Sequence, residues 1–240
     1  RLNEARNVVL YTHPKKEEIS DRELAMLLGR ADVVASMCQM FQQELIQIGV
    51  DQKSIEVVLG GADPELLKTH KRDRRPVGLS SGYQQRKNPE LILEVVKKAE
   101  DRDFILVGKD WNQWEKFTEL ESLPNFSYIG LLPFDKINVF YDQIDILLSP
   151  STLEGGPMPV LEAMMSNVIP VATRMGFCPD IIKHGHNGYL YDVDSPADHI
   201  LDLIEQAYDN DNDIRASVSH LTWRAYSARI EKLLRVNSLV

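Results

Sequence analysis

The sequence predicts an α/β fold built on doubly wound parallel sheets. Short runs rich in Val, Ile and Leu alternate with longer amphipathic runs along the chain, which is the pattern of successive β-α-β units. The short runs show little alternation of apolar and polar residues, as expected of strands covered on both faces. No internal repeat or low-complexity tract interrupts the rhythm.

Taken in order, NVVLYT (7–12) reads as a strand and DRELAMLLGR (21–30) as a helix. DVVAS (32–36) is a second strand, followed by the helix QMFQQELIQIG (39–49) and the strand SIEVVL (54–59). GGADPELLKTHKRDRRP (60–76) then brings glycines, prolines and clustered charge, the composition of a linker. The rhythm restarts with strand VGLSS (77–81) and helix NPELILEVVKKAE (88–100). Further strands are expected at 103–108, 126–132, 144–150, 168–173 and 188–192. Helices intervene near 111–120, 135–142, 159–167 and 176–183, and DHILDLIEQAYDN and LTWRAYSARIEKLL close the chain as helices. The expected division is residues 1–66 for the end of a first unit and linker, 67–225 for a complete second unit, and 226–240 for the end of the last helix. The chain opens without methionine almost directly in a strand, so residues upstream of the first unit are expected.

The 240 residues supply ample material for a core, and 43% hydrophobic with 26% charged residues is ordinary for a globular protein. A formal net charge of -9 argues against nucleic acid as a partner, which calls for a basic face. Cys38 and Cys178 are too few for a disulfide framework and fit a reducing compartment. The expected location is cytoplasmic, free or peripheral to a membrane, because no apolar run approaches the roughly 18–20 residues of a membrane span.

Sheets of this kind bind ligands beyond the carboxyl ends of their strands. IDILLSP would be such a strand, STLEGGP the loop after it, and MPVLEAMMS the next helix. Amides at a helix start, with the helix dipole behind them, attract phosphate or hydroxyl oxygens. Gly155 and Gly156 would let a ligand approach the backbone, Pro157 suits the first helical position, and Met158, Pro159 and Val160 continue the turn. Glu162, one turn into the helix, could accept from a ribose diol, and Glu154 from sugar hydroxyls. The alternative for these acids is an ordinary helix cap with a solvated glutamate. Asp192-Val-Asp194 and Asp209–Asp213 have D-x-D spacing but read as solvated turns, and Cys178, His184 and His186 lack the paired spacing of a zinc site.

EGGPMPVLEAM (154–164) resembles the E-x7-E motif of the retaining glycosyltransferases of family 4. Several ordered segments keep pace with that family: ADVVASMCQMFQQELIQIGV, VVLGGADPELL, DILLSPST, SNVIPVATRMGFCPDIIKHGHNGYLYD and LTWRAYSARIEKLL. The resemblance covers nearly the whole chain. It implies a GT-B-type fold of two Rossmann-like domains, with the donor domain complete here and the acceptor-side domain partial. A nucleotide diphosphate sugar is the implied donor, GDP-mannose or a UDP-sugar. A glycan, a lipid-linked molecule or a protein is the implied acceptor, and no metal cofactor is implied. In SSGYQQRKNPEL, Lys87 aligns with the lysine that meets the diphosphate, while the family arginine falls on Gly82. Arg86 is the neighbouring substitute, and Ser81 or Gly82 would offer a backbone N–H. Gly130 and Leu131 match the loop that contacts the base, and His13 matches a histidine near the transferred sugar, although Pro14 replaces the aspartate beside it. Glu154, Lys87 and His13 are thus the expected catalytic set. The rival reading is a nucleotide-sugar-binding module or subunit, inactive without a completing acceptor domain, and a homo-oligomer or a completing subunit is the partner considered.

Overall fold

The computed structural model describes residues 6–15 and 18–235, so the outer parts of the expected units at 1–5 and 236–240 lie outside the described residues. Two parallel sheets carry the chain. In the first, β1 (Val8–Tyr11), β2 (Val33–Ser36) and β3 (Ile55–Val57) lie in chain order, linked by α1 (Asp21–Leu28) and α2 (Gln39–Gln47). Ser20 starts α1 through a capping box with Glu23, one of the clearest helix-start signals in the sequence. Leu24, Leu28 and Leu45 from these helices bury against Val34 and Ile55.

The second sheet is β4 (Val77–Ser80), α3 (Pro89–Lys98), β5 (Phe104–Val107), α4 (Phe117–Glu121), β6 (Phe126–Gly130), α5 (Ile137–Tyr141), β7 (Ile146–Ser149), α6 (Met158–Met165), β8 (Ile169–Thr173), α7 (Cys178–Ile181), β9 (Tyr189–Tyr191) and α8 (Ala197–Tyr208). Its spatial order is β6-β5-β4-β7-β8-β9, so the chain runs outward from β4 to β6 and then returns to the other side of β4. This is the doubly wound order with one reversal, between β4 and β7. The buried strand sequences FILV, ILLS and IPVAT show why no alternation was visible.

After α8, α9 (Ile214–Val218) and α10 (Trp223–Leu234) bring the chain back to the first sheet. Leu233, Tyr226 and Ile230 pack with Val33, Ala35 and Val58, and Arg229 pairs with Glu56 at 2.7 Å. The first sheet therefore has α1 and α2 on one face and α10 on the other.

Some boundaries differ from the sequence expectation, for local reasons. The helix expected near 111–120 breaks into a tight turn at 111–113 and α4, because Trp111 and Trp114 are both drawn into the core and Trp114 is extended. The helix expected at 176–183 shrinks to α7, and α9, with only five residues, is too short to show a helical period, although Asp213 caps it. The linker is clasped by buried Asp145, which accepts the amides of Asp73 at 2.6 Å and Arg75 at 2.9 Å and contacts His70 Nε2 at 3.1 Å. No helix among the described residues is long and apolar enough to cross a membrane.

Candidate functional site

The reversal between β4 and β7 opens a crevice beyond their carboxyl ends. The loop after β4 carries Arg86 and Lys87, and the loop after β7 carries Glu154. These three side chains meet: Arg86 Nη1 donates to Glu154 Oε1 at 2.6 Å, and Lys87 Nζ donates to the same oxygen. Arg86 also holds Leu153 O at 2.7 Å and Gln84 Oε1 at 2.6 Å, and the Thr152 amide donates to Arg86 O at 2.8 Å. The two loops are thus joined by both charge and backbone. Glu154 is buried rather than solvated, which rules out the solvated half of the cap alternative. Arg86 is not a loose surface charge either. Two cations share one carboxylate, so the cluster keeps a net positive charge suited to an anion.

The start of α6 sharpens which amides are available. The helix begins at Met158, so Pro157 is its cap residue rather than its first helical residue, and Pro159 occupies the second position. Pro157 and Pro159 carry no N–H, and the Val160 amide donates to Pro157 O at 2.8 Å. Within 155–160 the amides left to meet a ligand are those of Gly155, Gly156 and Met158. The two glycines also have a structural reason for being small. A Cβ on Gly155 would lie 2.5 Å from Thr12 O and 2.6 Å from the Phe41 ring, and one on Gly156 would lie 2.7 Å from Met37 Cγ. The first unit packs where a side chain at either glycine would stand. Gly155→Ala is therefore expected to force the seam apart by overpacking, at about 1–3 kcal/mol. Thermal unfolding checks this at about 2–4 °C of midpoint per kcal/mol, and an unchanged midpoint would show that the seam is not tight.

Glu162 is half-buried on α6 and accepts a hydrogen bond from the Tyr141 hydroxyl at 2.7 Å through Oε2. Burial pushes the Glu162 carboxyl up, and the tyrosine bond opposes that rise. The Ser81 amide, expected as a phosphate donor, instead donates to Val107 O at 2.9 Å and continues the β4–β5 ladder. That leaves Gly82 as the backbone donor in this loop. Gly130 ends β6 with φ 78°, and Leu131 beyond it is 70% exposed. Two strand spacings separate β6 from β4, about 10 Å, a distance that a nucleoside spans.

His13 lies across the seam from Glu154. Thr12, His13, Pro14, Lys15 and Glu18 on one side, and Gln84, Arg86 and Leu153–Gly156 on the other, line an open cleft of about 790 Å³. His13 is exposed, and its Nδ1 stands 2.8 Å from Thr12 Oγ1. A further contact crosses the seam: Asp180 Oδ2 accepts the Gln39 amide at 2.9 Å, at the start of α2. Burial pushes the Asp180 carboxyl up. Neither Asp180 nor Tyr141 carries a sequence signal of its role, since each acts on a residue distant in the chain.

A second cavity, of about 520 Å³, lies at the amino ends of the strands, among Arg72, Arg74, Asp145 and Tyr208. It is at the edge opposite the crevice, where the linker crosses the sheet. Of the D-x-D segments, Asp192 pairs with Arg174 at 3.3 Å and Asp209 with Arg74 at 2.8 Å. His184 Nδ1 accepts the Leu190 amide at 3.0 Å. Among the described residues no three His, Cys, Asp or Glu side chains group as a metal site.

Comparison with known proteins gives a consistent picture. The family model of glycosyl transferases group 1 matches residues 66–221. An uncharacterized glycosyltransferase of Methanocaldococcus jannaschii is 29% identical over 154 residues, 62% of this chain and 43% of that protein. The sulfoquinovosyl transferase of Arabidopsis thaliana is 24% identical over 213 residues, 85% of this chain and 42% of that protein. The chain thus spans less than half the length of these curated relatives. Among solved structures, Anabaena HepE in complex with UDP-glucose superposes with a TM-score of 0.79 at 21% identity, over 95% of this chain and 71% of that one. A glycosyltransferase of Rickettsia africae superposes at 0.74 with 15% identity, over 95% and 69% of the two chains.

Proposed function

Because the chain belongs to the group 1 glycosyl transferases, we propose that its crevice holds a nucleotide diphosphate sugar and transfers the sugar to an acceptor with retention of configuration. The observation that carries this reading is the meeting of Arg86, Lys87 and Glu154 at the sheet reversal, beside the Gly155, Gly156 and Met158 amides. The nucleotide sugar in the HepE complex supports the ligand class.

In this reading the diphosphate lies against the start of α6 and draws Lys87 and Arg86 away from Glu154. The carboxylate so released accepts from the sugar hydroxyls, and Glu162 accepts from the ribose. The base lies toward Gly130 and Leu131. As the bond between the anomeric carbon and the diphosphate oxygen breaks, negative charge grows on the phosphate. Lys87, Arg86 and the α6 amides stabilise that charge more in the transition state than in the ground state. The acceptor oxygen attacks from the face the diphosphate leaves, and the departing phosphate takes the acceptor proton. His13, from the first unit, borders the sugar.

A second reading, a donor-binding module completed by another subunit or segment, is supported by the first sheet. Its edge strand β1 exposes Leu10, and α1 exposes Met26 and Leu27. Incubation with UDP- and GDP-sugars and candidate acceptors, with the product anomer read by NMR, separates the readings. Transfer with retention is the expected result. Nucleotide binding without transfer favours the module, inversion overturns the stereochemical assignment, and absence of both binding and transfer overturns the donor site.

A further inference from the structure

We propose that Tyr141 is a positioning residue that aims the Glu162 carboxylate at the donor ribose, an inference that rests on the ribose role given to Glu162 above. The Tyr141 side chain is fully buried, its ring 5.2 Å from that of Phe140, so its hydroxyl is fixed by packing rather than by solvent. That hydroxyl donates to Glu162 Oε2 at 2.7 Å and stands 3.3 Å from Pro159 O. It thereby ties the carboxylate to the first turn of α6, where the free amides lie. A carboxylate held at one oxygen has its rotation stopped and its second oxygen directed. Glu162 Oε1 accepts from no donor among the described residues, which leaves it for a diol.

The placement in the chain has a consequence for geometry. Tyr141 closes α5 immediately before β7, and Glu162 lies on α6 immediately after it. The bond joins α5 to α6, the helices that precede and follow β7 in the chain, and β7 is the strand whose far loop carries Glu154. Burial pushes the Glu162 carboxyl up, and the tyrosine donor works against this, favouring the ionised form that a diol needs. Burial, and then the neighbouring Glu162, keep the Tyr141 hydroxyl protonated and therefore a donor. Phenylalanine at this position would keep the ring packing and lose the hydroxyl, with its bond to Glu162 and its contact to Pro159 O.

The test compares wild type, Tyr141→Phe, Glu162→Gln and the double variant by titration calorimetry with UDP and GDP, and with the dideoxyribose analogue of whichever binds. Tyr141→Phe is expected to weaken binding about tenfold, with no further loss in the Glu162→Gln background and none toward the analogue lacking the diol. Equal loss in both backgrounds, or equal loss toward the analogue, would mark Tyr141 as merely structural and overturn the proposal. So would unchanged affinity of Tyr141→Phe alongside a weakened Glu162→Gln, and the ribose assignment would then stand without it. Unchanged affinity of Glu162→Gln would instead remove the ribose assignment, and the tyrosine role with it.

Discussion

Glu154→Gln is expected to lower sugar transfer by about 10²–10³-fold while nucleoside diphosphate binding holds or tightens. The two effects have opposite signs because Glu154 faces two ways. In the structure its Oε1 takes both Arg86 and Lys87, so it competes with any anion for those cations. Removing its charge frees both cations for the diphosphate. The same change removes the acceptor that would orient the sugar once the diphosphate has displaced it. Glutamine keeps the shape of the side chain and an oxygen for Arg86 Nη1, so the joined loops stay in place. Alanine would be a poorer choice, because it leaves two cations beside a buried hollow. Steady-state transfer rates together with titration of UDP and GDP check both halves. A variant that transfers at the wild-type rate would remove Glu154 from the chemistry, and a variant that loses nucleotide affinity would show that Glu154 does not compete for the cations.

Lys87→Met carries the second large effect, and there binding and transfer fall together. Lys87 is 15% exposed at the mouth of the crevice, so its charge is screened less than that of a surface lysine. It is a compact ammonium able to follow the diphosphate as charge builds on it. Methionine matches its reach without the charge. Transfer is expected to fall about 10²-fold or more, and nucleotide affinity about tenfold, or ~1.4 kcal/mol. Arg86 remains on Glu154 and Leu153 O, so the loops stay tied and the thermal midpoint stays close to that of wild type. Arg86 does not replace Lys87 fully, because its Nε and Nη1 also hold Gln84 Oε1 and Leu153 O.

Much of this was legible in the sequence because the carriers were local. Alternating apolar and amphipathic runs marked the strands of both sheets, and a strand, a Gly-Gly-Pro loop and a helix in succession located Glu154 and Glu162. What stayed hidden depends on contacts between distant segments. That Arg86 and Lys87 converge on one Glu154 oxygen needs two loops about 67 residues apart to close on each other. The crowding of Gly155 by Thr12 and Phe41 is a property of the seam between units, so a glycine read as room for a ligand is also room for another part of the chain. The Ser81 amide was lost to the β5 ladder because its strand pairing extends one residue past the strand itself. Tyr141 looked like any core aromatic, and only the fold brings its hydroxyl to Glu162. The proline pair at 157 and 159 was the exception: the absence of its amides was readable from chemistry alone, and the structure completes the count by engaging Val160.

In the proposed site, Lys87 and Glu154 form the diphosphate end and oppose each other there. A matched titration of UDP and GDP into wild type, Lys87→Met and Glu154→Gln tests it most directly. Binding of one nucleotide to wild type, weakened about tenfold by Lys87→Met and not weakened by Glu154→Gln, is the predicted result. Equal affinity of Lys87→Met and wild type, or no binding of either nucleotide to wild type, would contradict it.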